Sequence, residues 1–197
     1  TYGDHIPVVR GDGGAYWEDG AASTARETTL NRRAHETASA AEALLAVART
    51  MDRGPSRRGA LQELWRNILL FDEHTWGAWC SISHPDHPQT VGQWEVKASF
   101  ARAASEQAGE LLAEGLQRLG GLVQAKGPTL LVFNATSWPR EREVAEVTLS
   151  PGWVPADPMS GVPLPAVREP EEGADRVIFR APPIPAWGYA ICPLVER

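Results

Sequence analysis

An alanine-rich stripe at helical spacing constrains this chain more than any other feature. Leu30, Ala34, Ala38, Ala41, Leu45 and Ala48 recur at intervals of three and four, which places them along one side of a helix. Small side chains on that side predict close packing against another helix. The start is marked by Thr24 and Glu27, whose capping-box spacing lets each side chain satisfy the other's unpaired N–H. Gly54-Pro55 predicts the stop.

Two more stretches repeat the pattern. One begins near Ser56 and carries Leu61, Trp65, Ile68 and Leu69 on one face. The other begins with the capping-box pair Thr90 and Gln93. It presents Val91, Trp94, Ala98, Ala101, Ala104, Ala108, Leu111, Leu112, Leu116 and Leu119, and stops at Gly120-Gly121. Three amphipathic helices on short loops predict an up-down-up bundle over residues 24–122. Residues 1–23 read as an irregular, Gly-rich lead-in.

From Gly127 the texture changes. Runs at 129–133, 144–149, 176–180 and 189–194 have β character, and 134–140 is turn chemistry. Residues 151–174 are rich in Pro and Gly, with a short apolar piece at 162–164. Prolines confine several of these strands to sheet edges. The predicted class is α+β: a three-helix bundle followed by a small antiparallel β-sheet or sandwich unit over 127–197.

Composition narrows the function classes. With 197 residues, 43% of them hydrophobic, the chain can bury one or two cores. A net charge of −6 without a basic block argues against a nucleic-acid partner. No apolar run approaches the ~18 residues of a membrane helix, so no membrane association is expected. Two cysteines, Cys80 and Cys192, make no disulfide framework. The compartment stays open, with the cytoplasm favoured. Because the chain starts at Thr1, it is expected to be a piece of something longer.

Two clusters carry candidate chemistry. The first is Asp72-Glu73-His74-Thr75-Trp76-Gly77, at the end of an apolar helix. Carboxylates and an imidazole suit a zinc site or general acid/base work. They equally suit a helix C-terminus with a His on the dipole and a Gly stop. Adjacent charged groups are costly to bury, so the segment should sit at an open end of the bundle. The second cluster runs from Gly11 to Gly20, with Asp12, Tyr16 and Trp17. Aromatic faces flanked by carboxylates suit sugar binding, and a tight turn with Trp17 in a core suits them as well.

The remaining motifs read blandly. His84 and His87 flank Asp86 between prolines, as in a stiff exposed loop. Asn134-Ala135-Thr136 fits a glycosylation sequon, but Asn134 reads better as a turn residue. Residues 140–146 read as a solvated strand face. His5 and His35 carry no signal, and no Ser/His/Asp or Cys/His arrangement is found.

The order of these pieces resembles the middle part of glycoside hydrolase family 38, the retaining α-mannosidases. Tyr16-Trp17-Glu18-Asp19-Gly20 leading into a long helix is similar to the family's Tyr-Trp-x-Gly segment. The helical bundle looks like the family's middle domain. Phe71–Ala78 stands where the family has His-Asp-x-x-x-Gly. Leu131–Arg140 is similar to Phe-Asn-Pro-x-x-Trp-x-Arg, and Pro183–Tyr189 to Pro-x-x-Gly-Tyr.

The resemblance implies two-step retaining hydrolysis assisted by zinc, with the nucleophile on an N-terminal catalytic barrel of the same polypeptide. This chain would line the sugar and metal site without being catalytic alone. Asp12, Tyr16, Trp17 and Trp76 would face carbohydrate, and Asp72 or His74 would be the metal ligand. The family's zinc-binding His falls at Asp72, five residues before Gly77, whereas His74 lies two residues further on. The isolated chain would hold no zinc. The alternative is a non-catalytic carbohydrate-binding or interaction module.

Overall fold

The computed structural model describes residues 8, 10, 11, 24–73, 81, 83–141 and 143–197. Among them, three helices precede two three-stranded antiparallel sheets, so the class is α+β. The helices are α1 (Ala25–Asp52), α2 (Arg58–Asp72) and α3 (Pro88–Gly120). The strands are β1 (Thr129–Phe133), β2 (Val144–Leu149), β3 (Trp153–Pro155), β4 (Ala166–Glu171), β5 (Ala174–Arg180) and β6 (Tyr189–Glu196). The chain divides into two compact units. One takes residues up to Glu36 and Gly59–Gly109; the other takes Thr37–Arg58 and Glu110–Arg197.

The predicted stripe of α1 is buried, with one change of register. Ala34, Ala38, Ala41, Leu45 and Ala48 are enclosed, but the first position is Asn31 rather than Leu30, which is only half-buried. Positions 31, 34, 38, 41, 45 and 48 continue the three-four alternation better than position 30 does, because 30 to 34 to 38 drifts off the stripe. The helix stops through Arg53, which adopts a left-handed φ of 55°, and not through the glycine beside it. Gly54 serves space instead: a Cβ there would strike the Arg118 guanidinium.

In α2 the buried face is Leu64, Asn67, Ile68 and Phe71, while the expected Leu69 is 62% exposed. Ser56 Oγ accepts from the Arg58 N–H at 3.3 Å, close to the predicted start. Helix α3 begins earlier than its capping-box pair suggests. Pro88 occupies the first turn, where a missing N–H costs nothing. His87 Nδ1 accepts from the Gln89 N–H at 3.2 Å, and Thr90 donates its hydroxyl to His84 O. The cap is therefore His87, and Thr90 lies inside the helix. Val91 and Leu116 of the predicted stripe are exposed, whereas Ala98, Ala101, Ala104, Ala108, Leu111 and Leu119 are buried.

The second unit pairs strands in two sheets, ordered β1-β6-β3 and β2-β5-β4. Strands β3 and β4 fall inside the 151–174 stretch, where the sequence suggested only a short apolar piece. Both are edge strands and both contain proline, in keeping with the missing donor. Pro193 sits in the central strand β6, at its change of partner: residues 189–193 pair with β1 and 194–196 with β3. The core takes Phe179, Ala181, Ile184, Ala190 and Cys192, with Leu130, Val132, Ala145 and Val147 packed against it. Within the same unit, Phe133 packs with Val47 and Leu112 on Leu44, Ala48 and Leu119.

Candidate functional site

Of the residues singled out as site candidates, Asp12, Tyr16, Trp17, His74 and Trp76 lie outside the described residues. Asp72 is the last residue of α2, with its side chain 42% exposed. Its carboxylate is held from α1. Asn31 Nδ2 donates to Oδ1 at 2.7 Å, and His35 Nε2 lies 2.7 Å from Oδ2. An ionised carboxylate only accepts, so the imidazole must carry its proton on Nε2. Asn31 and His35 are four residues apart, which stacks them on one side of the helix. The Trp65 indole meets the His35 ring edge-on, 5.7 Å between centroids.

The end of α2 is also fixed from α3. Lys97, 8% exposed, donates through Nζ to the carbonyls of Leu70 (2.9 Å), Phe71 (3.3 Å) and Glu73 (2.6 Å). The first two are among the last carbonyls of α2, which find no partner within it, and Glu73 follows directly after the helix. A lysine ammonium satisfies them and suits the negative end of the helix dipole. The turn that carries Asp72 is thus tied to two neighbouring helices.

Arg32, His35, Glu36 and Asp72 line an open groove of about 490 Å³. It combines N–H donors with carboxylate acceptors, a mixture that suits a hydroxyl-rich ligand. Among the described residues, donors occupy two of about four lone-pair sites of Asp72, which leaves its oxygens acceptor capacity there. Carboxylates that ligate metals are themselves hydrogen-bonded from behind in this way. The residues fit a contributing metal ligand. Among the described residues no group of three or more His, Cys, Asp or Glu could hold a metal ion by itself.

His35 is the site residue that sequence reading passed over. A polar pair at 31 and 35, interrupting an alanine stripe opposite a helix-terminal carboxylate, is the signal that could have found it. The histidines expected to be exposed, His84 and His87, are exposed.

A second arrangement lies in the β unit. Asn134 donates through Nδ2 to Trp138 O (2.8 Å) and Pro185 O (3.0 Å), and Oδ1 accepts from the Thr136 N–H and hydroxyl. At 4% exposure it is a turn residue closed to a glycan. Paired backbone bonds between Arg140 and Ile184, with Asn134 N–H to Gly188 O and Trp187 N–H to Thr136 O, knit 134–140 to 184–188. The corner leaves Trp138 55% and Trp187 47% exposed, with the Arg140 guanidinium 5.5 Å over the Trp138 ring. Cys192 is buried, and that burial pushes its thiol pKa up, away from nucleophilic use.

No helix among the described residues is long and apolar enough to cross a membrane. No protein-family model and no curated protein matches the chain.

Proposed function

We propose that this chain forms part of a retaining, α-mannosidase-like glycoside hydrolase, lining its sugar and metal site rather than catalysing alone. The observation that carries the reading is the Asp72 carboxylate, gripped by Asn31 and His35 at the C-terminal end of α2. That is where the sequence sets Asp72 and His74 before Gly77. The corner joining 134–140 to 184–188 adds support, since two stretches that carry the family resemblance meet there. Asp72 or His74 would hold the metal, with Trp17 and Trp76 toward carbohydrate. Bound there, zinc would hold sugar hydroxyls and favour ring distortion. The nucleophile that forms the glycosyl-enzyme belongs to the N-terminal barrel of the same polypeptide.

The test is the Asp72→Ala/His74→Ala double variant of the full-length polypeptide. Zinc content and turnover of an aryl α-mannoside should fall together. Full zinc with full turnover would make the segment structural.

The exposed Trp138 and Trp187 favour a second reading, a non-catalytic carbohydrate-binding module, because an open indole face stacks on a sugar ring. It predicts that Trp138→Ala and Trp187→Ala weaken binding to immobilised mannan while the Asp72→Ala/His74→Ala variant does not.

A further inference from the structure

Asn31 stands at a place where the pattern of α1 calls for an apolar residue. Positions 34, 38, 41, 45 and 48 of the same stripe are Ala, Ala, Ala, Leu and Ala, all buried, and Asn31 is itself only 2% exposed. Its amide is oriented by Asp72: Nδ2 donates to the carboxylate at 2.7 Å, and Oδ1 is left buried with no hydrogen-bond partner. A buried carbonyl without a donor is unfavourable, and an apolar side chain in its place would remove that cost. Apolar packing therefore does not call for an asparagine here; its bond to the Asp72 carboxylate does, and that bond fixes where the carboxylate points. With His35 on the other oxygen, the carboxylate is fixed at both ends, Oδ1 by a nearly buried amide and Oδ2 by an imidazole braced against Trp65.

We propose that Asn31 and His35 are positioning residues that orient the Asp72 carboxylate toward its ligand, with Asn31 kept in the buried stripe although an apolar residue would stabilise the fold. The inference rests on the reading of Asp72 as a metal-side ligand. Partners that hydrogen-bond a metal ligand from behind are worth roughly 10–100-fold in metal affinity.

The experiment uses the full-length polypeptide, stripped of metal and titrated with zinc alone, with thermal unfolding measured alongside. Asn31→Leu, and Asn31→Ala as the smaller companion matching the rest of the stripe, should weaken zinc binding roughly 10–100-fold. At least one of them should match or exceed the parent Tm. His35→Ala should weaken zinc similarly, and His35→Gln, which keeps an N–H donor near the place of Nε2, should recover most of the affinity. Asp72→Ala sets the reference. If it leaves zinc affinity unchanged, the reading of Asp72 as a ligand fails. If it weakens zinc while the Asn31 and His35 variants bind as the parent does, the positioning inference fails and the reading of Asp72 stands. A fall in Tm beyond roughly 4 °C in both Asn31 variants also overturns it, since Asn31 would then be holding the helices.

Discussion

The Asn134 side chain has two N–H donors and one oxygen with two lone pairs, and the corner of the β unit uses all four. Asn134→Ala strands the Thr136 N–H and leaves the Trp138 and Pro185 carbonyls with one donor each, the Thr136 hydroxyl and the Gly188 N–H. The loss should be about 1–3 kcal/mol, the cost of leaving part-buried groups unsatisfied. Denaturant unfolding monitored by tryptophan fluorescence checks it, and an unchanged midpoint would mean that water replaces the amide. The sequence made Asn134 readable as a turn residue because an Asx turn is a local bond, here from Thr136 N–H to Oδ1. Nothing local announces the other half, the bond to Pro185 O. His35 was unreadable for the same reason: its partner Asp72 lies on another helix.

At the scale of elements, intervals of three and four mark all three helices but miss the register of α1 and the start of α3. In α1 the hydrophobic Leu30 lies beside the stripe, and the three-four spacing selects the polar Asn31 in its place. The start of α3 was misplaced because a His cap over Pro88 is rarer than the Thr90/Gln93 pair that resembles one. Ala101 is fully buried. Ala101→Leu should therefore overpack and destabilise by roughly 1–3 kcal/mol. An unchanged Tm would mean that space beside α3 is available.

In the second unit the ends of α1 and α3 are joined by Arg118, which donates to both Asp52 oxygens at 2.8 Å. Those bonds, with the Gly54 N–H, hold the Asp52 carboxyl at about 2, below its ordinary 3.8. A carboxylate held low in the folded state stabilises it above its unfolded pKa, and that contribution is lost as pH falls from about 4 to about 2. Asp52→Asn should flatten the acid limb of Tm against pH across that window. Superimposable acid limbs would assign acid sensitivity to other groups.

For the whole molecule, the change of texture near Gly127 correctly marks where helices give way to strands. The compact units divide elsewhere, within α1 and within α3. Contacts such as Phe133 of β1 against Leu44, Ala48 and Leu119 place helix ends with the sheets, and no periodicity within one element encodes them. The same limit applies to function. A retaining glycosidase needs two carboxyl groups only about 5–5.5 Å apart across the scissile bond, one of them the nucleophile. In the proposed reading the nucleophile comes from the barrel, and without it the attack that opens the two-step reaction has no attacking group. The 197-residue chain alone should therefore fail to hydrolyse an aryl α-mannoside, whereas the full-length polypeptide should turn it over. Turnover by the purified chain, abolished by changing one of its own carboxylates, would locate the nucleophile here and remove the need for a barrel.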